Sequence, residues 1–92
     1  MIQSFGDRET RHLFFEEKSR VHHAILRVAL RKLIQMNQAR SLSDLAVPPG
    51  NRLEVLKGPL DGLHSIRIND QWRIIFAWTP NGPTDVRIVD YH

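Results

Sequence analysis

The spacing of apolar residues changes once along this chain, near His64, and that change restricts the fold more than any other feature. From there on, hydrophobic and polar side chains alternate, which is the signature of half-buried strands. Residues 64–68, 72–78 and 84–91 read as three strands joined by short turns, an antiparallel meander. Ile66 and Ile68 share a face, as do Trp72, Ile74, Phe76 and Trp78, and then Val86 and Ile88; this is the predicted core face. Packing is the expected role of both tryptophans. Arg67, Arg73, Arg87, Val89 and Tyr91 fall on the opposite face.

The N-terminal half has helical spacing instead. Asp7 is a good N-cap and Glu9 complements the helix dipole, so a first helix is predicted over 8–17 with Leu13 and Phe14 buried. A second is predicted over 20–38, where Val21, Ile25, Val28, Ala29, Leu33 and Met36 form one apolar arc. Residues 1–5 are apolar enough for an edge strand. Ser41-Leu42-Ser43-Asp44 has the pattern of a capping box before Val47. Pro48-Pro49-Gly50, Gly58-Pro59 and Asp61-Gly62 are turn signals. The expected fold class is therefore α+β, an N-terminal strand and two helices packed on a mainly antiparallel sheet of C-terminal strands. At 92 residues a single domain over 1–92 is expected.

Composition removes several function classes. The chain has no cysteine, which excludes disulfides and thiolate metal sites and fits a reducing, cytoplasmic location. No apolar run approaches the ~20 residues that span a bilayer, and the first residues carry no secretory pattern, so no membrane association is expected. The histidines lack a His-Glu-x-x-His pattern and no glycine-rich phosphate loop occurs, so neither metal nor cofactor is expected. The formal charge is +3 with 13 Lys/Arg against 10 Asp/Glu, which makes a polyanionic partner plausible. The surplus lies in residues 1–46. Phosphate binding by the C-terminal half therefore needs placed arginines more than a bulk field.

Register supplies that placement. A three-residue turn, Asn69-Asp70-Gln71, sets Arg67 opposite Arg73. A five-residue turn from Thr79 to Pro83 pairs Trp78 with Thr84 and brings Val89 opposite Arg73, with Tyr91 one diagonal step away. Facing arginines repel, so either an anion sits between them or Asp70, Asp90 or Glu54 neutralises them. Asp90-Tyr91-His92 beside this basic sheet reads as a frayed tail or as part of a site. RNA cleavage needs only a general base, a general acid and cations, because the 2′-hydroxyl is an internal nucleophile. On the second helix Arg20, Arg27 and Arg31 share one side, either a solvated face or a phosphate-contacting stripe for ribosomal RNA.

These residues lead to a family. Met1-Ile-x-Ser-Phe5, Leu53-x-x-Leu56-Lys57-Gly58, Ser65-Ile66-Arg67-Ile68-Asn69, Trp72-Arg73-Ile74 and Asp90-Tyr91-His92 together closely resemble the HigB-type toxins of the RelE superfamily. The resemblance implies a RelE-like microbial ribonuclease fold and a ribosome-dependent endoribonuclease (mRNA interferase) that cleaves A-site codons through 2′-hydroxyl attack. It also implies a helix-turn-helix, HigA-like antitoxin, with operator DNA bound only through their complex, which represses the operon. By the same resemblance Lys57 and Arg73 stabilise phosphate charge, Tyr91 orients or stacks on substrate, and Asp90 and His92 assist proton transfer. Arg67 is expected to contact substrate. Many relatives carry His where this chain has Glu54; a carboxylate there serves as general base or pairs with Lys57. The alternative is a ParE-like non-nuclease of the same fold that inhibits DNA gyrase, a role that does not need Lys57, Arg73 and the Tyr-His ending together. A purely structural corepressor role leaves the exposed arginines unexplained.

Overall fold

A computed structural model describes residues 1–90 of the chain. Helix α1 spans Arg8–Glu16 and opens where the sequence signals it, with Asp7 Oδ1 accepting from the Thr10 amide at 2.7 Å. It ends at Glu17, which turns left-handed (φ 57°) and donates its N–H to the Leu13 carbonyl. Leu13 is fully buried and Phe14 half-buried.

The single helix expected over 20–38 is not formed. Ser19 Oγ accepts the His22 amide at 2.9 Å, a local bond that competes with helix continuation, and a 3₁₀ turn follows over His23–Ile25. Helix α2 begins only at Leu26–Gln38. The interruption turns His22 inward, edge-on to the Trp72 ring at 5.2 Å, and leaves Val21 60% exposed instead of in the core. Ile25, Ala29, Leu33 and Met36 are buried as their spacing predicts. The Ser41 capping box is present and opens a 3₁₀ turn over Leu42–Ala46; Asp44 Oδ2 accepts from the Ser41 amide at 3.2 Å.

The sheet has four strands in the order β1 (Glu54–Val55), β2 (His64–Arg67), β3 (Trp72–Thr79) and β4 (Gly82–Asp90), and every neighbouring pair is antiparallel. Strand β1 is an element that the alternation did not signal. Arg67 faces Arg73 as expected. The β3–β4 turn is tighter than expected: Thr79 pairs with Gly82 and Ala77 with Thr84, so Trp78 meets Pro83 and not Thr84. A bulge then places Asp85 and Val86 opposite Phe76, with Asp85 left-handed at φ 53°. The extra residue restores the expected phase, and Val89 faces Arg73.

The N-terminal segment runs parallel to β4 at that bulge. It forms one bridge, Phe5 to Val86, and not the extended edge strand expected. Ser4 O accepts from Val86, Gly6 donates to Val86 O, and Ser4 Oγ accepts from Asp85 N. The groups that a bulge leaves unpaired are thus taken up locally. Both helices pack on one sheet face, where Ile66, Ile68, Ile74, Phe76, Val86 and Ile88 are buried and Trp72 and Trp78 lie at the margin. Thr10 Oγ1, buried on α1, accepts the Ile88 amide at 2.9 Å and ties that helix to β4. The other face carries the arginines.

Candidate active site

Alternation and register put Glu54, Ser65, Arg67, Arg73, Ile75, Arg87 and Val89 on one side of the sheet. Arg73 is the centre of this face. Its guanidinium donates from Nη1 to Ser65 Oγ on β2 and from Nη2 to Glu54 Oε1 on β1, the latter at 3.2 Å. The two nitrogens are held by two different strands, so the planar group has little rotational freedom.

This geometry corrects two expectations. Arg73 is not a freely exposed arginine: it is 8% exposed, against 49% for the Glu54 side chain. Glu54 pairs with Arg73, not with Lys57. Arg67 is bonded to Asp70 across the adjoining turn. Each facing arginine therefore has its own carboxylate, and their juxtaposition does not by itself demand an anion. The Arg67–Asp70 pair is a surface ion pair, worth about 0–1 kcal/mol, so an incoming phosphate can replace the carboxylate at little cost.

Such a phosphate has room. An open cleft of about 450 Å³ is lined by Gly50, Arg52, Arg67, Asn69, Asp70 and Arg73. Three guanidinium groups against one carboxylate make its wall positive. Arg52 and Gly50 enter from the loop before β1, and no pattern in that loop announces them. Ser65 was findable, since it shares the phase of Arg67.

The remaining candidates are more dispersed. Lys57 is exposed at the start of the turn Gly58–Leu60 and does not line the cleft. Asp90 faces Trp72, in phase with Ile88 and not with Val89, and accepts from Gln71 Nε2 at 3.0 Å. Tyr91 and His92 lie outside the described residues. Arg27 and Arg31 are exposed, one turn apart on α2. Arg20 does not continue their stripe, because it precedes the 3₁₀ turn; it lines a separate cleft with Arg8, Glu9, His12 and Val21.

Comparison with known proteins bears on the family and the fold. A family model described as the RelE-like toxin of type II toxin–antitoxin system HigB matches residues 3–92. Toxin HigB-1 of Vibrio cholerae is 44% identical over 68 residues, which cover 71% of this chain and 72% of that protein. An uncharacterized protein of Haemophilus influenzae is 33% identical over 63 residues, 68% of this chain and 62% of that one. In fold the chain is similar to the crystal structure of YafQ from E. coli, with a TM-score of 0.58 over 98% of this chain and 91% of that one, at 16% identity. A family model that matches residues 3–92, with a relative 44% identical over 71% of this chain, places this chain in the family of HigB-like toxins of type II toxin–antitoxin systems.

Proposed function

We propose that the chain is a ribosome-dependent endoribonuclease that cleaves mRNA in the A site. The observation that carries this reading is Arg73, pinned by Glu54 and Ser65 at the wall of an arginine-lined cleft. A guanidinium fixed before substrate arrives needs no reorganisation when charge develops on the phosphorane, and such preorganisation is usually the largest single catalytic contribution. In the reaction the 2′-oxygen attacks the adjacent phosphorus as a base takes its proton. The P–O5′ bond then breaks and an acid protonates the leaving oxygen, which yields a 2′,3′-cyclic phosphate and a 5′-hydroxyl end.

Glu54 is the base in this scheme, through the carboxylate oxygen not engaged by Arg73. Arg73 and Lys57 offset phosphate charge, and Arg67 exchanges Asp70 for substrate. Asp90 and His92 carry the leaving-group proton, and Tyr91 stacks on the RNA. Arg27 and Arg31, with Arg20 apart from them, contact ribosomal RNA. The chain acts in the cytoplasm and is neutralised by a helix-turn-helix, HigA-like antitoxin, and the complex represses its own operon.

The test is a pair of assays with purified protein. Ribosomes programmed with a defined mRNA should yield cleavage at the A-site codon with a 2′,3′-cyclic phosphate end, while gyrase supercoiling is unaffected. Gyrase inhibition without RNA cleavage would overturn the ribonuclease reading in favour of the ParE-like one.

A further inference from the structure

The loop that carries Arg52 into the cleft is anchored from behind by an unusual pair. Asn51 is fully buried. Its Nδ2 donates to the carbonyls of Leu45 at 3.1 Å and Val47 at 3.3 Å and to Gln35 Oε1 at 3.1 Å, and its Oδ1 accepts from Lys32 Nζ. Lys32 comes from α2 and is 8% exposed. Among the described residues it has no carboxylate partner. Lysines are rarely buried without one. Burial holds its ammonium below the usual lysine range, and the nearby charges of Arg31 and then Arg67 act in the same direction. The ammonium donates to Asn51 Oδ1, which keeps the amide nitrogen turned toward the loop carbonyls.

The next residue is held as firmly. Arg52 is left-handed at φ 47°, a conformation disfavoured for a residue with a Cβ, and its amide donates to Pro49 O at 3.1 Å. A disfavoured backbone persists where its surroundings over-determine it, which is common at functional sites. Arg67 is bonded to Asp70, and Arg73 to Glu54 and Ser65. The exposed Arg52 guanidinium has no hydrogen bond or ion pair with a described residue. Among the described residues it is the uncommitted cation of the cleft.

We propose that Arg52 binds a backbone phosphate of the RNA next to the one that reacts, and that the buried Lys32–Asn51 pair positions it. This rests on the ribonuclease reading above. Arg52 is a substrate ligand; Lys32 and Asn51 are positioning residues that act through it. An arginine contact to phosphate suits this role, since it is charge-assisted and tolerant of base identity.

The experiment uses the full chain and programmed ribosomes, with natural mRNA for cleavage and a 2′-deoxy A-site codon for binding. Arg52→Ala should raise KM on the order of tenfold, with a smaller loss in kcat, and should flatten the dependence of log affinity on log salt by ~0.7. Lys32→Met should raise KM similarly, with a lowered unfolding midpoint because the buried Asn51 Oδ1 loses its donor, so KM is read well below that midpoint, where the variant is folded. The double variant should be no worse than Arg52→Ala alone. Lys32→Gln, which keeps a donor for Asn51 Oδ1, should recover most of the affinity. Additive losses in the double variant would overturn the positioning role. Unchanged KM and salt slope in Arg52→Ala, while Arg73→Ala abolishes cleavage, would overturn the Arg52 assignment and leave the ribonuclease reading standing. Absence of cleavage by the wild-type chain would remove both.

Discussion

Glu54 and Arg73 meet across the sheet from strands that are not neighbours: β2 lies between them, and its Ser65 shares the same guanidinium. A salt bridge of this kind fixes a cation more than it stabilises a fold. The carboxylate is half in solvent and can be rehydrated if its partner is lost, whereas the arginine and Ser65 are buried. The two residues therefore differ in what their removal does, and that difference is measurable.

Arg73→Ala should both destabilise and inactivate. Truncation leaves the buried Ser65 hydroxyl short of a partner, a loss typically of about 1–3 kcal/mol. Cleavage on programmed ribosomes should fall roughly 10²–10³-fold through loss of transition-state charge stabilisation. Urea unfolding and single-turnover kinetics read the two effects separately. Wild-type cleavage by a folded Arg73→Ala variant contradicts the site.

Glu54→Gln keeps an oxygen that can accept from Arg73 but loses the charge and the basicity. Because the side chain is half exposed, stability should change by less than about 1 kcal/mol. The rate should fall about 10²–10⁴-fold, the usual contribution of general-base catalysis. A loss of only a few-fold assigns Glu54 to holding Arg73, with the proton going elsewhere.

His22 should make stability depend on pH in the mildly acidic range. Burial lowers its pKa from 6.5, outweighing the opposite pull of Asp7 and Glu9, and its Nδ1 has no hydrogen-bond partner among the described residues. A depressed histidine pKa means that the unfolded chain binds the proton more readily. Its contribution is thus fully present above pH 6.5 and declines as pH falls below that, levelling off beneath the depressed folded value. Denaturation midpoints of wild type and His22→Gln at pH 7.5, 6.5 and 5.5 should show a shallower acid decline in the variant. Parallel curves would mean that His22 takes up its proton equally in the folded and unfolded chain, contrary to the expected depression.

Gly82→Ala tests the N-terminal clasp. Gly82 lies at φ 128°, and an added Cβ would come within 2.3 Å of the Met1 carbonyl oxygen. The strained backbone and the clash act together, so a loss of roughly 2 kcal/mol or more is expected. For a chain of this size that lowers Tm by about 8–16 °C. The arginine cleft is formed by residues 50–73, so kcat measured well below Tm should be retained. A calorimetric scan with an unchanged midpoint would show that Met1 does not occupy this position.

Alternation alone placed Arg67 and Arg73 on one face, because successive side chains of a strand must point to opposite sides whatever the chain packs against. The Asp7 cap, the Ser41 capping box and most of the α2 core stripe are local in the same sense, each decided within one or two turns of backbone. What the sequence could not reveal depends on contacts between distant segments. The helix expected to start at Arg20 yields to Ser19 and to the packing of His22 against Trp72, fifty residues away. The bulge at Asp85 is stabilised by Ser4 from the other end of the chain. Strand β1 is two residues long, too short to show a period, so nothing local could announce that Glu54 would reach Arg73. Lys32 and Asn51, nineteen residues apart in sequence, meet behind the loop that carries Arg52. Local geometry determined which faces the charges take. Long-range packing decided that Glu54 meets Arg73, and how deeply each is buried.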